Sequence, residues 1–275
     1  MEALFLVIAT LCYLCSTVGY LIYLFRDRVQ IHKIAWTIML IGAIFHAGAI
    51  LIRSVAIGQL AVTTGPEAIS LFAWMFVATY LLVQLRLQLR ILGSFVSPLA
   101  VIFMLSSNLL PAHILPKSEF FKSGWVILHI ASLFLANALF ALAFSVGIMY
   151  LVQESYIKRK NFGFLYLRLP PLERLDSIAH FCLITGFPLM TGGLVAGFAY
   201  AGIVLHSPWN WDPKEILSLV TWIIYAVLVH ERLAVGWRGR RAAWLSILGF
   251  SAILLTFLGA NILLKGHHSI LSGKM

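Results

Sequence analysis

Eight long apolar runs limit the fold of this chain more than any other feature. They lie at approximately 3–25, 34–57, 68–86, 91–110, 125–152, 178–204, 215–233 and 242–265. A helix needs about 20 apolar residues to cross the hydrocarbon core of a bilayer, so each run is long enough to span a membrane. Only 11% of the residues are charged, against roughly a quarter in soluble proteins. We therefore predict an all-α integral membrane protein, one polytopic bundle of about eight transmembrane helices.

Two other membrane-related interpretations fit the runs poorly. The strands of a membrane barrel alternate in polarity at every second residue, whereas these runs are apolar on all sides. The first run begins at Met1 without a basic segment before it, and Arg26 and Arg28 follow it instead. We expect this run to be a retained helix rather than a cleaved signal peptide.

Lys and Arg are distributed unevenly between the two sets of loops. Fourteen of the twenty fall in or beside alternate loops: Arg26, Arg28, Lys33, Arg86, Arg90, Lys158, Arg159, Lys160, Arg168, Arg174, Arg232, Arg238, Arg240 and Arg241. Loops rich in Lys and Arg stay in the cytoplasm, which predicts that both termini lie on the outer side. Membrane orientation and anionic lipid headgroups explain the net charge of +10, so we expect no nucleic-acid partner.

The predicted outer loop 205–215 carries the most unusual cluster of side chains. Trp209 and Trp211 are two residues apart, with a proline on either side and Asp212 directly after them. In an extended segment they would point to the same side and form a flat platform for a planar macrocycle. Each Trp alone is also typical of an interfacial belt, and Asp212 is suited to cap the next helix.

Four histidines are candidate ligands, because imidazole is a common ligand of haem iron. His129 lies about one turn inside the outer end of its helix, and His268 follows the last helix, so both are expected near the Trp loop. His46 is in the middle of the second run, and His230 ends the seventh run near the cytoplasm. Ionisable groups at such depth are costly and face a polar interior, which leaves function and hydrogen-bonded packing both open for them.

The cysteines point to packing rather than to redox chemistry. Cys12 and Cys15 form a Cys-x-x-Cys pair inside the first helix, but Ser16 follows where covalent haem attachment needs His. The sequence also contains no phosphate-binding glycine loop and no zinc-binding spacing.

Several segments together resemble the cytochrome c assembly family, and specifically its CcsA/ResC-type branch with a Trp-rich "WWD" loop. They are 209–215, 221–225, 230–232, 236–243 and 259–269. The similarity is most specific over 205–270 and is carried upstream by Trp125 and the Leu128–His129 pair. We expect a single transmembrane domain in which 1–124 form four N-terminal helices and 125–275 form the haem-handling core.

The resemblance implies a role for each candidate residue. His129 and His268 would be the two axial ligands of a non-covalent haem b at the outer face, and Trp209, Trp211 and Asp212 would hold it. His230 would match a transmembrane histidine that receives haem from the cytoplasmic side, and His46 would share that task.

The resemblance also implies a reaction and its partners. The family presents reduced haem for attachment to the Cys-x-x-Cys-His motif of apocytochrome c, together with a ResB/CcsB-type membrane partner. This chain would then be a subunit of a cytochrome c haem lyase (holocytochrome c synthase) in a bacterial inner membrane, with its active face outward.

One departure from the family pattern keeps two alternatives open. The longer form of the loop begins with a Trp-Gly pair, where this chain has Leu205 and His206. Such a truncated loop also resembles HemX-type membrane regulators of haem synthesis. The third alternative is a haem transporter, with helices broken at 186–188 and 192–193 around a passage past His46 and His230.

Overall fold

A computed structural model describes the backbone of residues 1–109, 123–204, 206, 209, 211 and 213–271. Side chains are described over the same residues except 204, 213, 214 and 256–271. The regular elements in these ranges are helices: α1 (Glu2–Phe25), α2 (Val29–Ile57), α3 (Gly65–Leu87), α4 (Gly93–Leu109), α5 (Gly124–Lys158), α6 (Phe164–Arg168), α7 (Leu172–Val204), α8 (Pro213–His230) and α9 (Arg240–Leu271), with short 3₁₀ and π turns at Arg90–Leu92 and Glu231–Val235.

The prediction of a polytopic helical membrane protein is confirmed. Within the described residues, seven helices are long and apolar enough to cross a membrane. The eighth predicted run corresponds to α9, which continues to Leu271 rather than ending near 265. The short helix α6 was not predicted, because its five residues fall below the length at which an apolar period can be recognised.

Helix α7 corrects one prediction of the sequence. It runs without interruption from Leu172 to Val204 with Pro188 inside it, so the expectation of a helix broken at 186–188 and 192–193 is wrong. Membrane helices tolerate Pro and Gly because neighbouring groups satisfy the freed backbone atoms.

The helices pack in two groups around a continuous core. Helices α1 to α4 contact one another, and α5, α7, α8 and α9 form the second group, in which α5 packs along α7 and α9. Contacts between α3 and α5 join the two groups. The buried apolar side chains of both groups form one cluster.

Long-range hydrogen bonds show that the basic loops meet at one end of the bundle. The Nε–H of Arg168 donates to the carbonyl of Leu24 at 3.1 Å, and its guanidinium pairs with Asp27. That guanidinium lowers the pKa of the Asp27 carboxyl. Arg174 donates to the carbonyl of Leu87 at 2.8 Å. The segments that follow α1, α3 and α5 therefore lie side by side.

The segment after α8 joins the same end through Arg232, whose Nη2 lies 2.8 Å from Oδ2 of Asp176. We call this end, formed by 26–28, 88–90, 159–171 and 231–239, the basic end. The opposite end carries Trp209 and Trp211 and is called the tryptophan end.

The positive-inside rule predicts that the basic end faces the cytoplasm, and labelling of single cysteines tests this orientation. In a chain whose three native cysteines are replaced by Ala, Lys160→Cys places a thiol at the basic end and His206→Cys places one at the tryptophan end. Both native positions are exposed. A membrane-impermeant maleimide should label the His206→Cys variant in intact cells and the Lys160→Cys variant only after permeabilisation. The reverse pattern would contradict the orientation.

Candidate functional site

Helices α5 and α7 approach closely along a row of α7 glycines. A Cβ atom added at Gly186, Gly193 or Gly197 would lie 2.7, 2.9 or 2.5 Å from a side chain of α5. The three α5 residues are Phe140, Leu133 and His129, respectively. The spacing of the glycines matches that of their α5 neighbours in the opposite chain direction. Small residues permit such close packing of helices in membranes. The contact of Gly197 with His129 positions the imidazole ring.

His129 is half-buried and has a defined hydrogen-bonding pattern. Its Nδ1 lies 2.6 Å from the carbonyl oxygen of Gly193. A carbonyl can only accept, so Nδ1 carries the hydrogen and the neutral ring keeps a lone pair on Nε2. A histidine that binds a metal through one ring nitrogen commonly donates the N–H of the other nitrogen to a carbonyl in this way. This hydrogen bond orients the ring and makes the ligating nitrogen more basic.

The two loop tryptophans adopt different environments. The Trp209 ring is half-buried against Phe198 of α7, with ring centroids 5.7 Å apart. The Trp211 side chain is 75% exposed and stands at 89° to the Trp209 ring, with centroids 5.6 Å apart. The prediction of a flat platform is therefore wrong for these two rings. It assumed an extended backbone, whereas Trp211 has a φ of +56°, in the left-handed region.

The C-terminal turns of α7 connect the imidazole and the indoles. Gly193 and Gly197 contact His129, and Phe198 contacts Trp209. These α7 residues lie within six positions of one another, so the site residues share one short stretch of helix. The sequence signal for this stretch is the small-x-x-x-small pattern of Gly193 and Gly197.

The other predicted histidines differ from His129. His46 is fully buried, and both ring nitrogens contact hydroxyls, Nδ1 that of Tyr13 at 3.3 Å and Nε2 that of Ser70 at 2.9 Å. In this arrangement iron could reach a His46 nitrogen only by displacing one of these hydroxyls. His230 is exposed at the end of α8, where the π turn begins.

Two predicted site residues lie outside the part of the chain whose side chains are described. His268 belongs to the backbone of α9, which continues to Leu271. The prediction that it follows the last helix is therefore wrong, because the helix is longer than its apolar run. Asp212 lies outside the described residues, as does Leu205.

Arg232 is buried at the basic end and forms a polar group with Asp176 and His180 that was not predicted from the sequence. The Nε–H of Arg232 donates to Nδ1 of His180 at 2.9 Å, and its Nη2 donates to the Asp176 carboxylate. Asp176 and His180 stand four residues apart on α7, which places them on the same face of the helix. A single Arg in a short basic loop carries no signal of burial, so this group could not be inferred from its chemistry alone.

The contact between Gly197 and His129 predicts that replacing Gly197 by Ala destabilises the protein, whereas the same replacement of Gly192 does not. Gly197→Ala should force the His129 ring away from the Gly193 carbonyl and cost about 1–3 kcal/mol, the usual range for overpacking. Gly192→Ala is the matched control, because a Cβ there would meet nothing within 4 Å. Thermal unfolding of both purified variants measures the effect. Equal melting temperatures would show that the close packing does not constrain His129.

The amino-acid sequence is similar to those of known proteins. The family described as "Cytochrome C assembly protein" matches residues 62–268. The chain is similar to a cytochrome c biogenesis protein CcsA of Guillardia theta, 30% identical over 222 residues, with 74% of each chain covered. It is also similar to the proteins of the same name from Trieres chinensis, 28% identical with 89% of this chain and 87% of the relative covered, and Microcystis aeruginosa, 30% identical with 74% and 76% covered. The chain thus belongs to the cytochrome c assembly protein family.

Proposed function

We propose that this chain acts in cytochrome c biogenesis by holding haem b non-covalently at the tryptophan end and presenting it to apocytochrome c. The observation that carries the proposal is the His129 imidazole, whose Nδ1–H is committed to Gly193 and whose Nε2 keeps a lone pair for iron. The relatives, which are named as cytochrome c biogenesis proteins, support the same process.

His268 is proposed as the second axial ligand, and the lengths of the helices support this pairing. Glu154 near the end of α5 contacts Arg240 at the start of α9, with 3.7 Å between their charged atoms. Measured from this contact at about 1.5 Å per residue, His129 lies about 37 Å up α5 and His268 about 42 Å up α9. Two histidines at similar heights on packed helices suit a shared iron.

The two tryptophans are proposed to have separate tasks. Trp209 packs on Phe198 and anchors the loop to α7. Trp211 presents an exposed ring, which suits stacking against a porphyrin face. Its left-handed backbone conformation is uncommon for a bulky residue, and such conformations concentrate at functional sites. Asp212 is proposed to hold the loop at the start of α8.

The work of these residues is positioning. His129 and His268 would hold the haem at the tryptophan end until the two thiols of a Cys-x-x-Cys-His segment are presented. The bond-forming chemistry belongs to haem and the apocytochrome, whereas the protein supplies orientation. A ResB/CcsB-type partner is proposed to complete the complex in the cytoplasmic membrane of a bacterium or its equivalent in a plastid.

The remaining histidines have different proposed roles. His230 is exposed at the basic end, which suits acceptance of haem from the cytoplasmic side. The contacts of His46 with Tyr13 and Ser70 favour a structural role, since both of its nitrogens are engaged.

Replacing the proposed ligands tests the haem site directly. His129→Ala and His268→Ala should each abolish the bis-imidazole absorption spectrum of the purified protein, because each substitution removes one of the two imidazoles that would hold the haem. His206→Ala is the control, since His206 is an exposed histidine at the same end. An unchanged spectrum in both ligand variants would overturn the assignment.

The exposed ring of Trp211 predicts a loss of binding without a loss of stability. Trp211→Ala should weaken haem binding about tenfold, equivalent to about 1.4 kcal/mol, while the melting temperature of the haem-free protein stays unchanged. Trp209→Ala should lower both, because the Trp209 ring also packs on α7. Haem titration and thermal unfolding separate the two effects. Equal loss of stability in both variants would contradict the division of tasks.

A further inference from the structure

A cavity of about 620 Å³ lies at the basic end, between α7 and the turn that follows α8. Its lining includes Tyr150, Asp176, His180, Arg232 and Arg238. None of these residues belongs to the haem site proposed at the tryptophan end. The cavity reaches the surface, because Arg238 in its lining is exposed.

Both carboxylate oxygens of Asp176 accept hydrogen bonds inside the protein. Its Oδ2 accepts from Nη2 of Arg232, and its Oδ1 accepts from the backbone N–H of Gly239, both at 2.8 Å. The same Nη2 also donates to the main-chain oxygen of Asp176 at 2.7 Å. Both oxygens of the acidic partner, Asp176, therefore have a hydrogen-bond donor within the protein.

The donors are not all used. Nη1 of Arg232 is buried and has no hydrogen-bond partner among the described residues. The Nδ1 of His180 accepts from Arg232, so the neutral ring carries its hydrogen on Nε2, which is a further donor. Arg238 adds an exposed guanidinium. The second carboxylate in the lining, Glu173, is exposed. A cavity lined by these three donor groups, of which the Arg232 guanidinium is buried, suits an anion.

We propose that this cavity binds the anionic group of an amphipathic ligand, a carboxylate or a phosphate, with Arg238 and His180 as its contacts and Arg232 behind them. The planar guanidinium group binds carboxylates and phosphates through paired hydrogen bonds, which makes Arg suited to both groups. The position at the membrane boundary leaves the apolar part of such a ligand in the bilayer. Two sources share this chemistry, a porphyrin propionate and the phosphate of a lipid headgroup.

The backbone connects this cavity with His230. The π turn Glu231–Val235 begins directly after His230 and contributes Arg232 and Leu233 to the cavity lining. Turns of this kind occur frequently at functional sites. The porphyrin as the source of the anion rests on the proposed function, whereas the anion site itself does not.

Metal-free porphyrins test the site without involving axial ligation. Purified full-length protein is titrated with protoporphyrin IX and with its dimethyl ester, which lacks the two carboxylates, and binding is followed by fluorescence. The free acid should bind about tenfold more tightly than the ester, and Arg238→Ala should remove this difference. Arg238 is chosen because it is exposed, whereas truncating Arg232 would leave the half-buried Asp176 without its charged partner.

The matched control is Arg240→Ala, which removes the same charge two residues away. Arg240 lies near Glu154 and is absent from the cavity lining, so this variant should behave as the unaltered protein. Equal effects of the two substitutions would overturn the proposal, because they would indicate only general attraction by the basic end.

A lipid arm distinguishes the two sources. Short-chain phosphatidylglycerol and phosphatidylcholine are titrated into the detergent-solubilised protein with and without Arg238→Ala, and their binding is compared. A preference for phosphatidylglycerol that depends on Arg238, without discrimination between acid and ester porphyrins, would assign the site to lipid phosphate. No dependence on Arg238 in either arm would end the proposal. Loss of the bis-imidazole spectrum in the His129→Ala variant leaves this assay unaffected, so the two sites fail independently.

Discussion

Close packing of α5 on α7 is the interaction on which the rest of the arrangement depends. Hydrophobic attraction between helices is weak in a bilayer, because lipid tails are as apolar as leucine, so tight contact must come from small residues. Gly193 and Gly197 supply it at the tryptophan end, where they leave room for the His129 ring. The same unbroken helix presents Asp176 and His180 at the basic end. Helix α7 therefore carries residues of both proposed sites.

Several buried or half-buried polar side chains of the membrane helices hydrogen-bond to a partner on another helix. The indole N–H of Trp74 donates to the carbonyl of Ala43 at 2.9 Å, and that of Trp222 donates to the Thr191 hydroxyl at 3.0 Å. His46 follows the same rule with its two hydroxyl contacts. Unsatisfied polar groups cost several kcal/mol in hydrocarbon, which explains why residues of one type play different roles at different depths.

The three predicted histidines differ in whether a ring nitrogen is available to bind a ligand. His46 has both nitrogens engaged, His129 has one nitrogen committed and one with a lone pair, and His230 stands exposed at the basic end. The proposed function, acceptance of haem at the basic end and its presentation at the tryptophan end, requires available groups at both ends. The buried middle of the bundle can remain structural.

Apolar run length was sufficient to predict the seven helices that could cross a membrane within the described residues, and loop charge was sufficient to group the basic segments at one end. Both follow from local composition, because the bilayer imposes one length and one charge rule on every span. The resemblance of 205–270 to a family identified the process and the candidate ligands. These properties need no knowledge of which helices touch.

Tertiary packing alone decided the tautomer of His129, the engagement of both His46 nitrogens and the burial of Arg232. Each depends on a residue far away in the chain, such as Gly193, Ser70 or Asp176, and no local period encodes such a distance. The perpendicular indoles of Trp209 and Trp211 belong to the same class. The Trp209 ring packs on Phe198, and the left-handed backbone of Trp211 directs its ring outward. The spacing of the two residues in the sequence does not predict either conformation.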